Sequence, residues 1–212
     1  PDLRWGLRTF VMGVVNLTND SFSGDGLLSA TDPLTAALEQ AQRFVAAGVD
    51  ILDIGGESTR PGSQPISAEI ELERVLPIVR ALRAEFPAVW LSVDTSKAEV
   101  AAATLAAGAD MVNDVWAGQA DPNMLPVVAE HGVPVVLMDN RSQAGAVDQH
   151  EQLGGLYRAE QSADIVASVC AALTDAAQRA LAAGVHPTTI ILDPGIGFGK
   201  TVADNLALIN GL

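Results

Sequence analysis

The chain alternates between short, unbroken apolar runs and longer stretches in which apolar residues return every three or four positions. The short runs predict six strands, near 10–16, 50–54, 90–94, 111–115, 134–138 and 189–193. Continuous apolarity over so few residues suits parallel strands covered on both faces. One phrase recurs ahead of them: FVAAGVDILDIGG (44–56), TLAAGADMVNDV (104–115), LAAGVHPTTIILDPG (181–195) and, more loosely, VAEHGVPVVLMDN (128–140). Each copy reads as the end of an amphipathic helix, a glycine in a left-handed turn, then a strand.

The intervening segments carry helix signals. Asp32-Pro33 places proline in a first turn, and Leu34, Ala37, Leu38, Ala41, Phe44 and Val45 follow on one face. Ser96 with Glu99 predicts a capping box. Pro77 should kink its helix or mark its first turn. The segment 141–160 has no clear period and reads as a loop. Six βα units imply an α/β fold with a parallel sheet, either doubly wound or closed into a barrel.

What favours the barrel is the polar residue at each strand end: Asn16, Asp53, Asp94, Asn113, Asp139 and Asp193. Barrel strands bring all their C-terminal ends to one mouth, where active sites form, whereas a doubly wound sheet gathers ligand groups at a switch point. One or two of these residues are expected to cap the following helix instead. Six of six favours a shared ligand site, because polar groups at a barrel mouth are costly unless they are bonded or bind something.

Composition narrows the chemistry. A net charge of −14 over 212 residues argues against nucleic acid as a partner. An anionic substrate must then be held locally, by a metal ion, a few cations or backbone N–H groups. Apolar residues make up 49 %, but no apolar run reaches the length of a membrane span, and PDLRWGLRTF lacks a secretory pattern. Cys170, the single cysteine, lies in a helical run and reads as a packed thiol. With no intrachain disulfide to form, a cytoplasmic protein is expected.

Asp94, Asn113 and Asp193 offer carboxylate acceptors and an amide that both donates and accepts, which suits a flat, nitrogen-rich heterocycle. Asn16, Asp20 and Asp25 are hard oxygen ligands, right for Mg²⁺ and wrong for zinc. Thr59 and Arg60 lie between glycine and proline in ESTRPGS, where an arginine can grip a carboxylate or stack on a ring, or simply occupy a solvated turn. His131, His150 and His186 lack metal-ligand spacing. There is no GxSxG elbow, and DPGIGFGKT lacks Walker spacing. Lys97 and Lys200, the only lysines, do not end a strand as a Schiff-base aldolase would require.

Taken in order, MGVVNLTNDSFSGDG, DIGGESTRPGS, LSVDTSKAEV, AGADMVNDV, VVLMDN and ILDPGIGFGKTVADNL resemble the dihydropteroate synthase family, from residue 12 onward. The resemblance implies a pterin-binding (β/α)8 TIM barrel as one domain over 1–212. It also implies condensation of 6-hydroxymethyl-7,8-dihydropterin diphosphate with p-aminobenzoate, releasing pyrophosphate. Asp94, Asn113 and Asp193 would be the catalytic, pterin-holding residues, with Met138, Val115, Gly197 and Phe198 around the ring. Asn16 would help coordinate Mg²⁺, and Thr59 and Arg60 would serve the p-aminobenzoate side. Sulfonamides would be inhibitors, and a homodimer the usual assembly. The alternatives are a non-catalytic pterin-binding paralogue or fragment, or a methyltetrahydrofolate-binding methyltransferase domain.

Some positions depart from the family pattern. Asn19 stands where proline is usual, the loop reads Gly24-Asp25 rather than Asp-Gly, and Asp139 takes the place of a common histidine. The sequence ends at Leu212, inside the sixth helix. Strands seven and eight of the family's barrel, with its Lys-Ser-Arg-like and Arg-x-His segments, are therefore expected to lie outside it.

Overall fold

The structure, a computed structural model, describes residues 6–18, 32–59, 63–142, 147–150, 154–157 and 159–211. Its main sheet has six parallel strands: β1 (Met12–Asn16), β2 (Ile51–Gly55), β3 (Trp90–Asp94), β4 (Met111–Asp114), β5 (Val135–Met138) and β8 (Ile190–Asp193). Their order in space follows their order in the chain without reversal. A doubly wound sheet must reverse at its switch point. This one does not, so it is barrel-type, as the polar strand ends predict. Among the described residues, β1 and β8 form the two edges.

Among the described residues, six α-helices follow the strands: α1 (Pro33–Ala46), α2 (Ala68–Glu85), α3 (Ala98–Ala106), α4 (Met124–His131), α5 (Ile165–Ala182) and α6 (Val202–Gly211). The repeated turn is real. Gly48, Gly108, Gly132 and Gly184 all have positive φ, from 65° to 112°. In three copies the next N–H reaches back to close the helix: Val49 to Phe44, Ala109 to Thr104 and Val185 to Ala180. That bond needs the left-handed residue, which glycine adopts without a Cβ clash. Asp50 and Asp110 then perform the same task in two copies. Each takes the N–H of a residue at the start of a neighbouring strand, Val11 just before β1 and Leu91 in β3, and pairs with an arginine (Arg8, Arg83).

Side chains alternate across a strand, so each strand serves two environments. Outward-facing Val15, Leu52, Ile54, Leu91, Val93, Val112, Val135 and Leu137 join helix residues such as Ala41, Val79 and Val100 in the main core. Inward-facing Ile51, Met111 and Val136 pack with Met12, Trp90 and Ile191 in a second cluster inside the curve of the sheet.

Three local expectations change. Ser96 does not cap α3; Lys97 is the N-cap residue, without a side-chain cap bond. The Ala98 N–H donates instead to Asp121 Oδ2 at 2.9 Å, a partner from the next βα connection. Of the two placements open to Pro77, the interior of α2 is the one it takes. Cys170 is exposed on α5, not packed. Within 141–160, β6 (Val147–His150) and β7 (Gly154–Tyr157) pair antiparallel. Among the described residues they pair only with each other, so neither needs the unbroken apolar run that marks the main strands. Among the described residues, α5 alone is long and apolar enough to cross a membrane by length and composition. In this fold it packs on β5, β8 and α6, through buried residues that include Ile165, Val169 and Ala180.

Candidate active site

Strand register assembles the site. Asn16 pairs with Gly55, Gly55 with Asp94, and Asp94 with Asn113, so these four residues form one row across adjacent strands. All four face inward, above the apolar cluster. Gly55 is the gap in the row: a Cβ built there would lie 3.3 Å from Asn16 Oδ1 and 3.6 Å from Asp94 Oδ2. Glycine thus leaves open the space between an amide and a carboxylate. On β8, Asp193 pairs with Met138 and faces the same way.

One layer deeper lies Asp53, buried, with its Oδ2 accepting from Asn113 Nδ2 at 3.0 Å. Its other oxygen and Ser92 Oγ are enclosed, and among the described residues neither makes a well-formed hydrogen bond. Burial raises the Asp53 pKa, opposed by the nearby Ser92 hydroxyl and the Asn113 amide. Asp94 is half-buried and has no hydrogen-bond partner among the described residues. Its pKa is pushed well up, first by burial and then by the charges of Asp53, Glu71, Asp114 and Glu57. A carboxyl so placed favours whatever donates hydrogen bonds to it or brings positive charge.

The loop after β2 is anchored at its root. Lys97 Nζ contacts Glu57 and lies 2.5 Å from Glu71 Oε2, while Arg74 Nη1 donates to the Gly56 carbonyl at 2.9 Å. Burial pulls the Lys97 pKa down, but the two glutamates outweigh it and the net shift is upward. Across the mouth, the turn after β8 is held by Gly195 N–H donating to Asp193 Oδ1 at 2.7 Å. Gly197 is exposed on that turn and Phe198 half-buried. Val115 is buried just past β4, and Met138 ends β5.

Among the described residues, no group of three or more His, Cys, Asp or Glu side chains is arranged to hold a metal ion. What the mouth offers instead is the Asn16 amide oxygen, without a protein partner among the described residues, close to the Asp94 carboxylate. Hard oxygen donors of this kind fit Mg²⁺, which keeps most of its waters and binds through few protein groups plus phosphate.

The pterin-binding enzyme family model matches residues 12–212. The chain is 41 % identical to the dihydropteroate synthase of Synechocystis sp. over 208 residues, covering 98 % of this chain and 68 % of that one. The structure of Xanthomonas albilineans dihydropteroate synthase with 4-aminobenzoic acid superposes with a TM-score of 0.81 at 42 % identity, covering 96 % of this chain and 67 % of the other. A Yersinia pestis dihydropteroate synthase in complex with a sulfonamide drug gives 0.82 at 41 % identity, covering 96 % and 68 %. This chain belongs to the pterin-binding enzymes, in their dihydropteroate synthase branch. It spans about two thirds of the length of the curated relatives it matches.

For a dihydropteroate synthase relative, the predicted strand-end residues sort unevenly. Asn16, Asp94, Asn113 and Asp193 face the interior at the mouth. Asp53 does too, but one layer lower, because β2 runs on to Gly55. Asp139 does not: it follows inward-facing Met138, and its carboxylate accepts from Arg141 Nε at 2.7 Å. The neighbouring Asp114 also turns away, accepting from the N–H groups of Trp116 and Gly118. Thr59 lies at the root of the loop after β2, while Arg60 and the positions Asn19, Asp20, Gly24 and Asp25, between β1 and α1, lie outside the described residues. Lys200, which sequence reasoning set aside, is enclosed beneath the turn that carries Phe198. Its one sequence signal was rarity in a chain with two lysines.

Proposed function

We propose that this protein is a dihydropteroate synthase, joining 6-hydroxymethyl-7,8-dihydropterin diphosphate to p-aminobenzoate to give 7,8-dihydropteroate and pyrophosphate in folate biosynthesis. The observation that carries the reading is the row Asn16–Gly55–Asp94–Asn113. Among the described residues, the Asn16 amide oxygen and the Asp94 carboxylate have no protein partner, and they flank the gap left at Gly55. Such groups are costly unless a ligand with ring N–H and amino donors completes them.

On this reading Asp94, Asn113 and Asp193 hold the pterin, with Met138, Val115, Gly197 and Phe198 lining its ring. The C–O bond from the pterin methylene to the diphosphate breaks, and pyrophosphate leaves with the electron pair. The aniline nitrogen of p-aminobenzoate closes the new C–N bond, and its surplus proton goes to solvent. The carboxylates stabilise the electron-poor pterin during this exchange. Thr59 and Arg60 orient the second substrate, whose carboxylate suits a guanidinium. Mg²⁺, held in part by Asn16, would neutralise charge on the diphosphate. The likeness to relatives solved with 4-aminobenzoic acid and with a sulfonamide supports sulfonamides as competitors on that side. A cytoplasmic homodimer is the setting that accords with this reading.

The test is coupling of radiolabelled p-aminobenzoate to the pterin diphosphate, run with and without EDTA beside calorimetry of both pterins. Label should enter dihydropteroate, and EDTA should weaken binding of the diphosphate while sparing a pterin without phosphates. Pterin binding without coupling would reduce the protein to a binding paralogue. Absence of pterin binding would overturn the reading, and unchanged diphosphate affinity in EDTA would remove the metal from Asn16.

A further inference from the structure

Lys200 has an enclosed side chain. Its ammonium is 2.6 Å from the Asp139 carbonyl, 2.9 Å from that of Gly195, 3.4 Å from that of Phe198 and 3.2 Å from Asp139 Oδ2. An ammonium has three N–H donors, so four oxygens at these distances leave none for a phosphate. The glycine-rich turn with its lysine is therefore not a phosphate grip. The four oxygens come from two segments distant in sequence, the end of β5 and the turn between β8 and α6.

Those segments are joined in other ways that leave little slack. Asp139 N–H donates to the Asp193 carbonyl at 3.0 Å, and Arg141 N–H to the Phe198 carbonyl at 3.3 Å. Gly195 and Gly199 have φ of +67° and +65°. A Cβ on Gly195 would lie 2.3 Å from the Asp139 carbonyl oxygen, and one on Gly199 2.2 Å from the Arg141 carbonyl carbon. The turn so held fixes one oxygen of Asp193 on the Gly195 N–H and carries Gly197 and Phe198. Enclosing an ammonium costs solvation, and burial indeed pulls the Lys200 pKa down against the attraction of Asp139. Holding the turn by its carbonyls gives the buried charge a specific task.

We propose that Lys200, paired with Asp139, is a positioning residue for the pterin pocket, acting through Asp193 and Phe198 rather than by touching substrate. This rests on the pterin reading above and adds that the pterin side depends on Lys200 more than the p-aminobenzoate side does. Lys200→Met and Asp139→Asn are compared with the wild type. The readouts are calorimetry with a pterin lacking phosphates, KM for each substrate, and thermal unfolding. In Lys200→Met the pterin Kd should rise by about tenfold or more, with KM for p-aminobenzoate changed less than about twofold. Asp139→Asn keeps the carbonyl contacts and should raise the pterin Kd by a smaller factor, about two- to fivefold, in the same one-sided way. If Lys200→Met fails to fold, the one-sided shift in Asp139→Asn decides. An unchanged pterin Kd in a folded variant overturns the proposal, and so do equal shifts for both substrates, which mark a general structural role. A wild type that binds no pterin overturns the pterin reading itself, and this inference with it.

Discussion

Along β3, Leu91 and Val93 face the helices, while Trp90, Ser92 and Asp94 face the interior of the sheet. The outward pair belongs to the apolar main core. The inward series changes character as it climbs: Trp90 packs with Ile51 and Met111, Ser92 lies beside Asp53 in register, and Asp94 pairs with Asn113 at the mouth. Five residues thus meet two sets of demands. The outward face contributes to stability through burial. The upper inward face holds polar groups that burial alone would disfavour, and those are the groups a ligand can complete.

The separation is most severely tested from the outward side. Leu91→Ala should lose about 2–5 kcal/mol of stability in urea unfolding, since Leu91 is fully buried. Below the unfolding transition, its pterin Kd should stay within about twofold of wild type, because the change lies on the opposite face of the strand. A larger shift would mean that the two faces are coupled through the backbone.

Next in size is Asp94→Asn. It should weaken pterin binding by about tenfold or more, because the carboxylate is replaced by an amide that presents donors to donors. Stability should move the other way. The folded pKa of Asp94 is raised above its ordinary value of 3.8, so between that value and the raised one the native state binds the extra proton. Stability then falls as pH rises through that window. Urea unfolding across pH should show this slope in the wild type and a flatter one in Asp94→Asn, which should be the more stable protein at neutral pH. An unchanged slope would show that Asp94 is not the group responsible.

The smallest effect is expected at Asp53→Asn, one layer below. Asp53 reaches the mouth through Asn113. Its loss should weaken pterin binding by less than about fivefold, the worth of a single indirect hydrogen bond. Calorimetry that ranks Asp53→Asn level with Asp94→Asn would erase the gradient between layers.

Much of this was legible beforehand for local reasons. The strands, the glycine turns that end four of the helices and the proline in the first turn of α1 depend on short-range period and backbone stereochemistry. The α3 cap was misread because its partner, Asp121, comes from the following βα connection. The hairpin of β6 and β7 was missed because two short strands that, among the described residues, pair only with each other leave no periodic signature. At the site, Asp94, Asn113 and Asp193 were correctly placed at strand ends, and Asn16 with them. Asp139 was grouped with these residues by the same rule, yet its carboxylate binds Arg141 and Lys200 instead.

The sequence by itself determined the repeat, the parallel α/β class and the kinds of polar group available at the strand ends. Those follow from period, propensity and chemical type, all of which are local. Only the tertiary structure decided which polar groups share a cavity. A side chain's face follows from its parity along the strand, and its height from the register with a neighbouring strand, so one residue's difference separates Asp139 from the mouth and two separate Asp53 from its rim. The partners of Lys97 and Lys200 were likewise decided there, because a buried ammonium is held by oxygens that the fold collects from distant segments.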